Sequence, residues 1–125
     1  VIISARKALQ KKAKKGFRGY PMATVAFYGP TDQQATKLVV SILVREDAEP
    51  EPMRKWFSEA DLRKDPEILG EAVAFIRGHE ARSVAMLERI IGCPHEEGVD
   101  YPDGEACPEC PFWKSLDRWT GDVIQ

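Results

Sequence analysis

"DPEILGEAVAFIRGHEARSVAML", residues 65–87, changes its periodicity part-way along, and the reading of its second half decides what kind of domain this chain forms. The first half predicts a helix. Asp65 is placed to cap it, Pro66 suits the first helical position because no N–H is needed there, and Gly78 is placed to close the carboxyl end. Ile68, Leu69, Ala72, Val73, Phe75 and Ile76 recur at helical spacing as a core-facing stripe. Residues 82–91 admit helix or strand, since Val84, Leu87 and Ile91 also have helical spacing. A strand over "SVAML" is expected, because a break at "RGHE" followed by a short apolar run is how a helix returns to a sheet.

Working outward, "MRKWFS" (53–58) is a candidate strand ahead of the helix, so strand, helix and "SVAML" make one βαβ unit with an expected right-handed crossover. Cys93 then lies just beyond the carboxyl end of a strand. Further upstream, "MATVAFY" (22–28) and "TKLVVSILVR" (36–45) are rich in β-branched and aromatic residues. "GPTDQQA" supplies turn chemistry between them, which predicts an antiparallel hairpin with a long loop. Period two places Leu38, Val40, Ile42 and Val44 on a buried face, opposite a wetter face of Lys37, Ser41 and Arg45. "EDAEPEP" (46–52) is an acidic connector stiffened by proline.

The amino-terminal "ISARKALQKKAKKG" predicts a helix ended by Gly16. Its apolar face of Ile3, Ala5, Ala8, Leu9 and Ala13 is thin, so a helix that is frayed or docked only at its start is expected. Residues 1–20 hold seven Lys/Arg and no acid, against eleven Lys/Arg and twenty acids in the remainder: a basic arm on an acidic body. The chain begins with Val1, which leaves its natural start open.

A chain of 125 residues fits one domain and can bury about two thirds of its unfolded surface, so metal is not needed merely for collapse. No stretch approaches the ~20 apolar residues needed to cross a bilayer, and "VIIS" is too short for a signal-peptide core. No membrane association and a cytoplasmic location are expected.

All three cysteines and one of the two histidines fall in "GCPHEEGVDYPDGEACPECPFW", residues 92–113. An odd cysteine count beside a histidine is poor disulfide arithmetic and good zinc arithmetic. Cys93, His95, Cys107 and Cys110 offer three thiolates and an imidazole to a tetrahedral Zn2+. In the connector, "YPDGE" is a turn signal, with Pro102 presetting φ, Asp103 bonding the local backbone and Gly104 accepting positive φ. That turn is expected to fold "EGVDY" back against "EAC". The stretch resembles zinc ribbons and rubredoxin-like knuckles, in which C-P-x-C supplies one ligand pair, as "CPEC" does here over four residues. It is also similar to a signature of small uncharacterised bacterial proteins, GCPHEEG, then DYP, GE and CP-x-CPFW, over the last quarter of the chain; that resemblance implies no function.

Two bland readings stand beside the metal: a redox C-x-x-C pair, and three unrelated buried thiols. The enzymatic alternative is a zinc-dependent hydrolase or deaminase-like site with Glu96 or Glu97 as general base. Against it, only nine residues separate Glu97 from Cys107, too few for a parallel crossover between the motifs. A fourth ligand in Cys93 would also leave no position for water. His79 is expected to be a capping or surface residue. Phe112, Trp113, Leu116 and Trp119 are expected to shield the sulfurs, with a partner-binding patch as the alternative.

Nucleic acid is a second alternative. The metal region carries six acids and no Lys or Arg, so such contact is expected only through Arg6, Lys7, Lys11, Lys12, Lys14, Lys15 and Arg18. "GFRG" resembles the KH-type GXXG clamp in four residues, without the helix that should follow. The overall expectation is an α+β domain: an antiparallel hairpin in a small mixed sheet, one main packed helix, a basic amino-terminal helix (1–18), an α/β core (20–91) and a carboxyl-terminal zinc module (92–120). Its role would be a non-enzymatic binding or regulatory module, with a protein partner.

Overall fold

The computed structural model describes residues 4–105 and 107–113. Two helices, α1 (Ala5–Lys14) and α2 (Pro66–Gly78), accompany four strands, β1 (Met22–Tyr28), β2 (Lys37–Leu43), β3 (Met53–Phe57) and β4 (Ser83–Ile90). The strands form one mixed sheet in the order β3-β2-β1-β4. β1 and β2 are the expected hairpin, with Val25 opposite Val40, and β3 adds antiparallel to β2 with Trp56 opposite Leu38. β4 lies parallel to β1, with Ala23 beside Val84. β3 and β4 therefore run the same way, and α2 carries the chain between them across both hairpin strands.

Alternation explains which side is covered. Ala23, Val25 and Phe27 of β1, Leu38, Val40 and Ile42 of β2, Trp56 and Val84 are all buried, with Leu69, Ala72 and Ile76 of α2 in the same core. Asp65 caps α2 by accepting from the Glu67 and Ile68 N–H groups. The residue that takes left-handed backbone after α2 is Glu80 (φ 54°), not Gly78, which remains inside the helix. The Ala81 N–H then reaches back to the Ile76 carbonyl, closing the helix end.

Three expectations require correction. α1 is docked along its length: Leu9 is buried in the core, Ala5 and Ala13 pack against it, and α1 rests on both α2 and β4. One buried leucine flanked by two small residues allows close approach to α2, so a thin apolar stripe suffices. Ile3 lies outside the described residues. Second, Lys37 and Ser41 on the supposedly wet face of β2 are buried, because β2 is a central strand and its flanks cover them. Third, Val44 lies past the end of β2 and is exposed. "SVAML" is a strand, extended through Ile90 with a register shift that sets a four-residue step of β4, from Met86 to Ile90, against the two-residue step from Val25 to Phe27 of β1.

No helix among the described residues is long and apolar enough to cross a membrane.

Candidate metal centre

The chain leaves the sheet where β1 and β4 end side by side. Ile91 donates its N–H to the Phe27 carbonyl and Gly29 donates to Gly92, which brings Cys93 out just beyond the strand ends. Gly29 also accepts from the indole Nε1 of Trp113 at 2.8 Å. Both flanks of the cysteine-rich segment are thus tied to one residue of the hairpin loop. Only glycine fits there, since a Cβ would stand 1.9 Å from the Gln34 carbonyl oxygen.

Local turns then gather the donors. The His95 N–H donates to Cys93 Sγ at 3.3 Å, closing C-x-H into a tight turn. The Cys110 N–H returns to the Cys107 carbonyl, and Pro111 opens a short 3-10 turn whose Trp113 N–H bonds the Cys110 carbonyl. Between the pairs, the Glu96 N–H is capped by the Asp100 carboxylate and the Gly98 N–H by the Tyr101 carbonyl. "EGVDY" is thus closed by its own hydrogen bonds; Ala106, within the "EAC" expected to lie against it, falls outside the described residues. The second turn runs from the Pro102 carbonyl to the Glu105 N–H, with Gly104 at φ 83° as expected.

The result is a compact cluster. One donor atom each from Cys93, His95, Cys107 and Cys110 lies within 4.8 Å of the other three, an arrangement that could hold a metal ion. His95 Nδ1 stands 3.2 Å from Cys93 Sγ and 3.4 Å from both Cys107 and Cys110 Sγ. The three sulfurs are free thiols, two of them buried. Burial, with the neighbouring sulfurs, pushes the Cys110 thiol well above its ordinary value, and burial raises Cys93 as well. A cation at the centre would reverse this, because a coordinated thiol is deprotonated outright.

Residues around the cluster include some that sequence reasoning did not single out. Glu109 Oε2 lies 3.2 Å from His95 Nε2, the ring nitrogen facing away from the sulfurs. Lys37, reaching up from β2, donates to the Pro94 carbonyl at 3.0 Å and to Glu96 Oε1 at 3.4 Å, with the Tyr28 and Phe57 rings on either side. Lys55 of β3 binds the same Glu96 oxygen. The Lys55 ammonium, with Lys37 behind it, holds the Glu96 carboxyl below its usual range. No spacing rule pairs position 37 or 55 with position 96; the sheet register does.

Glu97 is exposed, and its backbone bridges to Tyr101. A groove of about 620 Å³ runs beside His95 and Glu96, bounded by Lys37, Lys55 and Phe57. His79 caps the end of α2 and packs edge-on against Phe75, away from the cluster. Trp113 packs against the core and follows Cys110 closely, with Phe112 edge-on to it; Leu116 and Trp119 lie outside the described residues.

No family model, curated protein or solved structure gives a significant match to this chain.

Proposed function

We propose that this chain is a small zinc-binding protein in which Cys93, His95, Cys107 and Cys110 hold one structural Zn2+, and that it serves as a non-enzymatic binding or regulatory module. The observation that carries the reading is the approach of His95 Nδ1 to three sulfurs at 3.2 to 3.4 Å. Zinc–sulfur and zinc–nitrogen bonds of about 2.3 and 2.05 Å give tetrahedron edges near 3.6 Å for S···N and 3.8 Å for S···S. The three S···N separations already stand close to that edge, and all four donors lie within 4.8 Å of one another. Their chemistry supports zinc over calcium or magnesium, which take oxygen ligands.

Four protein donors leave no coordination position for a reactive water, and catalytic zinc sites need one. Glu96, a base in the hydrolytic alternative, is engaged by two lysines and has lost proton affinity. A structural ion fits this arrangement: it would fasten two chain segments that also meet through the His95–Glu109 contact, while Trp113 and Gly92 anchor them to the sheet.

The test is metal content together with X-ray absorption on protein purified without added metal. One zinc per chain in a shell of three sulfurs and one nitrogen is expected. A shell with fewer protein donors and a water oxygen would favour hydrolysis, and metal-free protein with Cys107 bridged to Cys110 would end the proposal.

A further inference from the structure

The end of the sheet opposite the metal cluster has its own chemistry. Lys7, Lys11 and Lys14 repeat on the exposed side of α1, and Lys15 and Arg18 continue the row beyond it. Two other cations of this stretch serve the fold: Arg6 pairs with Glu88, and Lys12 donates to the Ala81 carbonyl. The five in the row have no carboxylate partner among the described residues.

The Arg18 N–H bonds Ser83 at the start of β4, whereas Cys93 lies past the end of β4. Eight strand residues at about 3.3 Å each separate the poles by roughly 25 Å, several screening lengths at physiological salt. The acids of the metal region therefore do not neutralise the Arg18 end of the row.

Phe17 interrupts these cations. Its ring is 62% exposed and rests edge-on against Tyr20, with centroids 5.1 Å apart. Beside it a predominantly apolar groove of about 500 Å³ runs along β1 and β4, lined by Gly16, Met22, Ala26, Ala85 and Leu87. Cations at the rim, a presented aromatic ring and an open apolar groove are the three parts of a single-strand platform: charge for the backbone, a face for a base and room for its neighbour.

We propose that this surface binds single-stranded nucleic acid, with Lys14, Lys15 and Arg18 on phosphates, Phe17 stacked on a base and the β1–β4 groove receiving the next one. A duplex hides its base faces and would leave Phe17 without a partner. The proposal names a partner class for the binding role given above and rests on that role, but not on the metal, which sits at the other pole.

The experiment is fluorescence anisotropy of the full chain, its metal content measured in parallel. The probes are labelled oligothymidine and oligouridine of about 12 nucleotides, a duplex of the same length and phosphatidylcholine–phosphatidylserine vesicles. Single strands should bind tighter than duplex, and log affinity should fall with log salt at a slope of about −2 for three phosphate contacts. Phe17→Ala should weaken binding about tenfold and leave the slope unchanged. Lys14→Gln, Lys15→Gln and Arg18→Gln should each reduce the slope by about 0.7. All four side chains are exposed, so circular dichroism should report an unchanged fold. Binding to vesicles alone, equal affinity for duplex and single strand, or an unaffected Phe17→Ala variant would overturn the proposal. A protein that bound single strands yet carried no metal would retain this inference and lose only the zinc centre.

Discussion

His95 stands between the cysteine sulfurs and Glu109: Nδ1 faces the three thiols, while Nε2 lies 3.2 Å from the Glu109 carboxylate. A carboxylate behind a ligating imidazole fixes its tautomer and orientation and raises its basicity. Glu109 is largely exposed, so it acts here at the weak end of that range. Glu109→Gln should reduce zinc affinity about tenfold, read by competition with a chromophoric chelator. Unchanged affinity would show that the contact does not orient the ring.

Metal removal should act locally. Chelation, or Cys107→Ser, frees the two donor pairs, and Trp113 loses the neighbour that holds it against Gly29. Trp emission should shift, while the amides of β1 and β2 keep their hydrogen-exchange protection. On the order of 10 kcal/mol of metal-linked folding energy is available to order such a segment. Collapse of protection throughout the sheet would mean that the ion supports the whole core.

The two lysines on Glu96 should differ in weight. Lys37 is nearly buried, between two aromatic rings, and also satisfies the Pro94 carbonyl, whereas Lys55 is more than a third exposed. Lys37→Ala should cost about 2 kcal/mol in urea unfolding, since it removes a nearly buried side chain packed between two rings together with the donor to the Pro94 carbonyl. Lys55→Ala should cost under about 1 kcal/mol. The reverse order would mean that the cysteine-rich segment is not held to the sheet through Lys37.

An acid-sensitive joint lies elsewhere in the fold. Asp61 accepts from the Arg63 guanidinium and from the Arg63 and Ala35 N–H groups, which holds its carboxyl below the usual range. Arg63 also reaches the Gln33 and Glu88 carbonyls, so the joint links the hairpin loop to β4. A depressed folded-state pKa contributes stability above the unfolded value of about 3.9, lost as pH falls through the folded one. Asp61→Asn should therefore cost about 1 to 2 kcal/mol near neutral pH, with the gap from wild type closing below about pH 4. Metal release affects both proteins and cancels in the difference. A gap that persisted at low pH would remove Asp61 from acid sensitivity.

Much of this architecture was legible in the chain itself. Local chemistry specified the hairpin, the Asp65 cap, the strand after α2, the Gly104 turn and the four donors, because each is carried by one continuous stretch of chain. Glu80 in the left-handed region was not legible, since Gly78 offered the easier conformation and only the packing of Ala81 on the core selects the later residue.

What tertiary structure alone decided is which distant groups meet. The order β3-β2-β1-β4 buries Lys37 and aims it at Glu96, sets α1 on α2 through Leu9, and closes both flanks of the cysteine-rich segment onto Gly29. Those contacts join residues tens of positions apart, and their energy depends on register and solvent exclusion, quantities that no single stretch of sequence carries. A candidate donor set can be read from spacing; the lysines and the carboxylate packed around it cannot.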